Sequence, residues 1–290
     1  MSVLRFAATA LVAAWLAAPA VAIDFRDTYR RTFAFAAGVR PTLEIDNVFG
    51  DVRVRAGAAG EIRVTVEQTW SGRTEERLAR ARRDVTLEVE ESAGELKLAM
   101  DGPFRCHDRL GRRRDSGHCV DWNDPGYEAR FDFEVVVPPD VDLDLATVND
   151  GVLEVSGTHG KFVFGNVNDR IRLADVAGDG RIATVNGPVD ATFSAAPTRD
   201  LEVVTVNGDI DLAFPDDLAA DLKYHTLNGD LYTDFELSRL RLPSTAERTV
   251  EGGRKRYRLA GGPSLRIGGG GIALSTTTVN GDIRVHRRES

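Results

Sequence analysis

Beyond its first 22 residues, this 290-residue chain has no apolar run long enough to cross a bilayer as a helix, which takes about 20 consecutive apolar residues. The mature chain is therefore read without a transmembrane segment. Cations are in the minority: 37 Lys and Arg against 45 Asp and Glu give a net charge of −8, which argues against nucleic acid or an anionic lipid surface as the main partner. No Gly-x-Ser-x-Gly elbow occurs, so the Ser and His residues form no hydrolase motif. The Gly-Gly-x-Gly-x-Asp pattern of calcium-binding solenoids is missing too. Aromatics make up only 7% of the chain while Gly numbers 28, a balance that fits many short strands joined by tight turns.

What is present begins with an export pattern. Residues 1–22 carry one cation, Arg5, then an apolar run from Phe6 to Leu16 that is broken by Pro19, and finish in Ala20-Val21-Ala22. This reads as a signal peptide cleaved near Ala22, with no cysteine at the cleavage point to take a lipid. The mature chain is then expected in the periplasm or outside the cell. In an oxidising compartment the even pair Cys106 and Cys119 reads as one disulfide. The competing reading is a Cys/His metal site using His107 and His118. Adjacent ligands in both pairs fit tetrahedral zinc poorly, because paired Cys ligands normally stand about two to four residues apart. No metal, cofactor or catalytic set is expected. Arg105, Arg109, Arg112, Arg113 and Arg114 make the surrounding loop, residues 102–126, basic. They form a candidate patch for an acidic glycan or lipid headgroup, set against the plainer reading of a solvated loop.

The dominant feature is a repeat. Six segments align on an Asn: Thr147-Val148-Asn149, Asn166-Val167-Asn168, Thr184-Val185-Asn186, Thr205-Val206-Asn207-Gly208, Thr226-Leu227-Asn228-Gly229 and Thr278-Val279-Asn280-Gly281. The first five are spaced by 19, 18, 21 and 21 residues, and the sixth follows after 52. A divergent copy lies at Asn47-Val48-Phe49-Gly50-Asp51. Apolar residues recur with period two on both sides of each Asn, for example Leu201/Val203 before Asn207 and Ile210/Leu212 after it, which marks half-buried strands. In the first copy the downstream match shifts by one, to Leu153 and Val155, as if Asp150-Gly151 replaced Asn-Gly after a one-residue bulge. A two-strand unit cannot bury its apolar face alone; stacking each copy on the next does so, and predicts a β-solenoid. Asn-Gly favours positive φ, so Asn149, Asn168, Asn186, Asn207, Gly208, Asn228, Gly229, Asn280 and Gly281 are expected to form a turn ladder, with the nearby Asp residues as turn formers rather than calcium ligands. Whether the Thr or the Val before each Asn points inward is not decided by the pattern.

Upstream, segments such as Ile62–Val66, Val85–Val89 and Phe131–Val135 alternate and are separated by hairpin-like turns. A short helix is expected over residues 74–83, with Glu76 and Arg80 paired at i,i+4. Val137-Pro138-Pro139-Asp140 divides residues 23–137, an antiparallel strand region, from residues 138–290, the repeats with an insertion at 236–271. The glycine tract Gly268–Gly271 precedes a strand, so it reads as a turn rather than a phosphate cradle.

Copies of Thr-Val-Asn-Gly-Asp-Ile, behind a signal peptide and an alternating region that closes in Val-Val-Val-Pro-Pro, resemble the bacterial putative-adhesin family over roughly residues 40–286. The family comprises adhesin-like β-solenoid domains of unknown function related to putative auto-transporter adhesin head domains. The resemblance implies a right-handed parallel β-helix-like fold and an envelope or secreted location; it supplies no catalytic residues, and the long Cys loop departs from its pattern. The expected function is that of a non-enzymatic envelope or surface protein presenting a solenoid to an unknown glycan, protein or surface partner. Two alternatives stand beside it. One is a polysaccharide-active β-helix enzyme, a lyase or glycosidase, since Asn149-Asp150, His159, Arg170-Ile171-Arg172 and Asp216-Asp217 resemble pieces of a polygalacturonase site in the wrong order. The other is a structural periplasmic module accessory to envelope-stress signalling.

Overall fold

Each Asn-centred copy contributes one strand before the Asn and one after it, and the two go to different sheets. This arrangement is seen in a computed structural model that describes residues 22–36, 38–57, 60–107, 113–118, 125–239, 246–251, 254–259 and 264–288. Among the described residues the chain is all-β with one short helix, and most of its strands lie in two large, mostly parallel sheets. Sheet 1 receives the downstream strands: Leu153–Ser156, Ile171–Val176, Val189–Phe193, Ile210–Phe214, Ile283–Arg287 and Leu231–Thr233. Sheet 2 receives the upstream strands: Asp142–Thr147, Phe162–Asn166, Gly180–Ala183, Leu201–Val204, Ile272–Thr277 and Ala220–His225. Inward residues of both sheets belong to one buried cluster, with Leu153, Ile171, Val189, Ile210 and Ile283 in register along sheet 1. Phe193 and Phe214, on neighbouring strands, stack at 4.6 Å between ring centroids.

The order of the copies departs from the order in the sequence. Leu201–Val204 and Ile210–Phe214, of the Asn207 copy, pair with the strands of the Asn280 copy, and these pair in turn with the strands of the Asn228 copy. The last copy thus lies between the fourth and the fifth. Residues 215–219 carry the chain past the vacated position, across two strand spacings or about 10 Å. The insertion then returns it. Ser264–Ile267 runs antiparallel on the far side of Ala220–His225, and Gly268–Gly271 steps over the start of that strand, so that Ile267 and Ile272 both pair with Ala220. Gly268 and Gly270, at φ 55° and 67°, supply the left-handed backbone that this crossing needs. The glycine tract is therefore a crossover.

The stack also starts earlier than Pro138. The divergent copy, with strands Thr42–Asp46 and Val52–Ala56, pairs in parallel with the Asn149 copy, and Phe49 bridges Asn149. Glu95–Asp101 and Tyr127–Val137 extend the two sheets in parallel beyond it. Within the two large sheets antiparallel pairing is confined to the ends: Ile23–Ala34 with Glu61–Gly72, Glu61–Gly72 with Tyr127–Val137 and Thr86–Ser92 with Glu95–Asp101 at one, and Ser264–Ile267 with Ala220–His225 and with Leu237–Arg239 at the other. The Pro138 break consequently marks no boundary between sheets. The helix runs Glu75–Asp84 and is capped by Thr74, whose hydroxyl accepts from the Arg77 amide. Its i,i+4 ion pair is Arg80–Asp84 at 3.0 Å rather than Glu76–Arg80, because Asp84 is also fixed by Tyr127.

Candidate functional site

The corner between the sheets is built from three columns. The Asn side chains form an unbroken amide ladder: Asn168 donates to Asn149 at 2.7 Å, Asn186 to Asn168 at 2.9 Å, Asn207 to Asn186 at 2.8 Å, Asn280 to Asn207 at 2.7 Å and Asn228 to Asn280 at 2.7 Å. The Thr position faces inward. Thr205 Oγ1 donates to the Gly187 carbonyl at 3.1 Å, Thr278 to Gly208 at 3.0 Å and Thr226 to Gly281 at 3.0 Å, and Asn166 takes the same role toward Gly151 at 2.9 Å. The Val position faces outward in the later copies, where Val185, Val206 and Leu227 are exposed, whereas Val48 of the divergent copy is buried and Val148 packs against the core.

The glycines differ from expectation. Gly187, Gly208 and Gly229 do not have positive φ, and Gly281 at 158° is nearly extended. Glycine is required there by the close approach of backbones. A Cβ on Gly208 would meet the Gly187 carbonyl oxygen at 2.2 Å, and one on Gly281 would meet the Gly208 oxygen at 2.1 Å. Left-handed backbone appears instead at Asp150, φ 53°, the extra residue of the first copy.

The Asp residues after the turns hold copy to copy. Asp209 Oδ1 accepts from the Asp282 amide at 2.8 Å and Oδ2 from Arg284 at 2.9 Å; Asp282 Oδ1 accepts from the Asp230 amide at 3.0 Å. The Asp282 amide first, then Arg284, pull the Asp209 carboxyl below its ordinary range. A carboxyl whose folded pKa is depressed contributes stability above its unfolded pKa of about 3.9 and loses it as pH falls through the folded value. Asp209→Asn is therefore expected to lower the urea midpoint at pH 7 and to flatten its decline below about pH 4. An equal decline in both proteins would rule out this role.

Of the expected basic patch, Arg105 alone has a described side chain. Arg105 grips both carboxylate oxygens of Asp46 at 2.8 Å, and donates to the Asp46 and Met100 carbonyls, so it braces the loop and is not free for a ligand. Arg109, Arg112 and Cys119 lie outside the described residues, as do the side chains of Cys106, Arg113 and Arg114. The polygalacturonase-like pieces are not brought together: Asp150 and His159 flank opposite ends of Leu153–Ser156, and Asp216 is paired with Arg287.

A concavity lies on the outer face of sheet 1, where Glu61–Gly72, Tyr127–Val137, Val52–Ala56, Leu153–Ser156 and Ile171–Val176 lie side by side. It has a volume of about 580 Å³, within the range of about 300–1,000 Å³ usual for ligand sites. Val136, Ser156 and Ala174 are short side chains on outward positions and form its floor. One wall follows from cross-strand register, Glu134 beside Arg53 beside Glu154 beside Arg172. Arg53 is bound by Asp51 at 2.6 Å and Glu154 at 3.1 Å. Burial works against its charge, but those two carboxylates outweigh burial and keep it protonated. Arg172 reaches Glu154 at 3.8 Å, and Arg63 is held by Glu61 at 3.3 Å. The side chains of Arg55 and Glu134 have no hydrogen-bond or ion-pair partner among the described residues. No sequence motif marked these residues. Their signal was alternation alone, in Val52-Arg53-Val54-Arg55 after the divergent copy and in Phe131–Val135, and the trough forms only when strands at 63–65, 134–136, 154–156 and 172–174 are laid beside Arg55.

No protein-family model and no curated protein matches the chain. Among solved structures it is similar to a putative cell adhesion protein from Clostridium sporogenes, 11% identical, covering 91% of this chain and 100% of that one with a TM-score of 0.45. It is also similar to a putative adhesin from Bacteroides fragilis, 8% identical, covering 90% and 97% with a TM-score of 0.30. A third is a putative lipid binding protein from Parabacteroides distasonis, 10% identical, covering 91% and 97% with a TM-score of 0.22. No helix among the described residues is long and apolar enough to cross a membrane.

Proposed function

We propose that the chain is an exported, non-enzymatic envelope or surface protein of adhesin type, which presents a right-handed β-solenoid to a glycan, protein or surface partner. Seven copies that alternate between two sheets and pair in parallel support the solenoid reading. The pattern of residues 1–22 supports export, with cleavage near Ala22 and a Cys106–Cys119 disulfide formed afterwards. The observation that carries the binding role is the trough on sheet 1, an open concavity on a hydrogen-bonded scaffold that leaves a guanidinium and a carboxylate unmatched. A scaffold of stacked strands suits recognition because its outward rows are fixed before the partner arrives, which limits the ordering cost of binding.

The test is an array of envelope and plant-type glycans probed with the mature chain, with and without residues 102–126. Saturable binding to a subset of glycans, retained when the loop is removed, is expected. Binding lost with the loop would move the site to the basic patch, and no binding to any glycan on the array would overturn the glycan partner. Release of new reducing ends or unsaturated sugars would replace it with the polysaccharide-active reading.

A further inference from the structure

We infer that the sheet 1 trough is a saccharide site selective for sugars that carry an isolated carboxylate, the uronic acids. This rests on the reading that the trough face binds a glycan, and it names the ligand class. The argument begins with which charges are already spent. Of the four arginines lining the trough, Arg53, Arg63 and Arg172 are each engaged by a carboxylate. Arg55 is exposed and engages none. A planar guanidinium on a fixed strand matches a carboxylate through two parallel N–H···O bonds, a geometry that a hydroxyl or a point cation does not reproduce.

Glu134 supplies the second half. It lines the same trough and is likewise unengaged, and an ionised carboxylate only accepts hydrogen bonds. Its natural partners are hydroxyl groups. Register sets the pair diagonally: Arg55 lies opposite Val136, while Glu134 lies opposite Arg53. With strands ~4.8 Å apart and ~3.3 Å of rise per residue, their Cα atoms are roughly 8 Å apart. A sugar ring laid on the Val136–Ser156–Ala174 floor would turn its carboxylate to Arg55 and hydroxyls to Glu134. A ligand with only anionic groups leaves Glu134 facing like charge, and a neutral sugar leaves Arg55 unanswered.

The whole-chain charge narrows the class further. At −8 the protein repels dense polyanions at long range. The trough therefore favours short uronate segments over heavily sulfated chains.

Titration calorimetry of the mature chain tests this with trigalacturonate, with a neutral cello-oligosaccharide of the same length and with inorganic phosphate. Trigalacturonate is expected to bind at least ~10-fold more tightly than the neutral sugar, with loss of ~10-fold or more in Arg55→Ala, as for one charge-assisted pair. Arg55→Lys keeps the charge without the fork and is expected between the two; Arg181→Ala, outside the trough, is expected to match the wild type. Far-UV circular dichroism checks that each variant is folded, and Ala174→Trp, which fills the floor, gives a second route to loss of binding. Equal affinity for the neutral sugar overturns the carboxylate inference while leaving the glycan reading intact. Phosphate that competes as well as the sugar reduces the site to an anion site and overturns it too, as does trigalacturonate binding unchanged by both Arg55→Ala and Ala174→Trp, or absent altogether.

Discussion

Removing residues 272–290 is expected to unfold the repeat region rather than shorten it by one copy. The segment is last in sequence but interior in space. Its strands Ile272–Thr277 and Ile283–Arg287 are hydrogen-bonded on both sides, to the Asn207 copy and to the Asn228 copy. Truncation after Gly271 strips partners from four strands at once and takes Leu274, Ile283 and Val285, all fully buried, out of the core. Each such side chain stabilises the folded state by about 1.5–3 kcal/mol. Together that is comparable with the whole stability of a typical domain, about 5–15 kcal/mol. If copies stacked in sequence order, the same truncation would remove only an end cap. Thermal melts of the mature full-length and truncated chains distinguish the two: the expected result is loss of the cooperative transition, and a transition lowered by only a few degrees contradicts it. Single substitutions scale the effect. Ile283→Ala is expected to cost about 2–5 kcal/mol, the range for a filled core site, whereas Leu231→Ala on the edge strand should cost clearly less.

Gly208→Ala and Gly208→Asn are expected to destabilise the fold equally, by about 3 kcal/mol. The two substitutions separate two explanations of the same glycine. Were Gly208 needed for left-handed backbone, Asn, which tolerates that region, would rescue much of the loss. The obstacle is instead a carbonyl oxygen 2.2 Å from where any Cβ must go, and it belongs to backbone that is itself locked in the stack. That oxygen also accepts from Thr205, so moving it away costs a buried hydrogen bond as well. Urea midpoints measure the difference. A midpoint for Gly208→Asn close to the wild type would restore the turn explanation.

Much of the scaffold was legible because β-structure writes its burial with period two. Ile171, Val189, Ile210 and Ile283 fall in one inward row just as their spacing from the Asn residues indicates. The extra residue of the first copy was visible as a shift of one, but its place was not: Asp150, read as part of the turn pair, is itself the left-handed extra residue. The order of the copies was not legible. Every copy offers its neighbour the same backbone donors and acceptors, so nothing in the Asn280 segment says which gap it fills; only the 52-residue spacing hinted at a return. Nor could sequence reveal that Arg105, read as part of a surface patch, reaches Asp46, a residue 59 positions away. The trough escaped for the same reason. Arg55 and Glu134 become neighbours only through the pairing of Val52–Ala56 with Tyr127–Val137.

Cross-linking along the Asn column tests the placement of the last copy most directly. Adjacent strands lie ~4.8 Å apart, inside the Cα separation of about 4.4–6.8 Å that a disulfide accepts, while a two-strand gap of ~9.6 Å is outside it. With Cys106 and Cys119 replaced by Ser, the pairs Asn207→Cys with Asn280→Cys and Asn228→Cys with Asn280→Cys are expected to oxidise within one chain, and Asn207→Cys with Asn228→Cys is not. A bridge formed by that third pair, with Asn280→Cys left reduced in both others, would contradict the inserted copy and the architecture built on it.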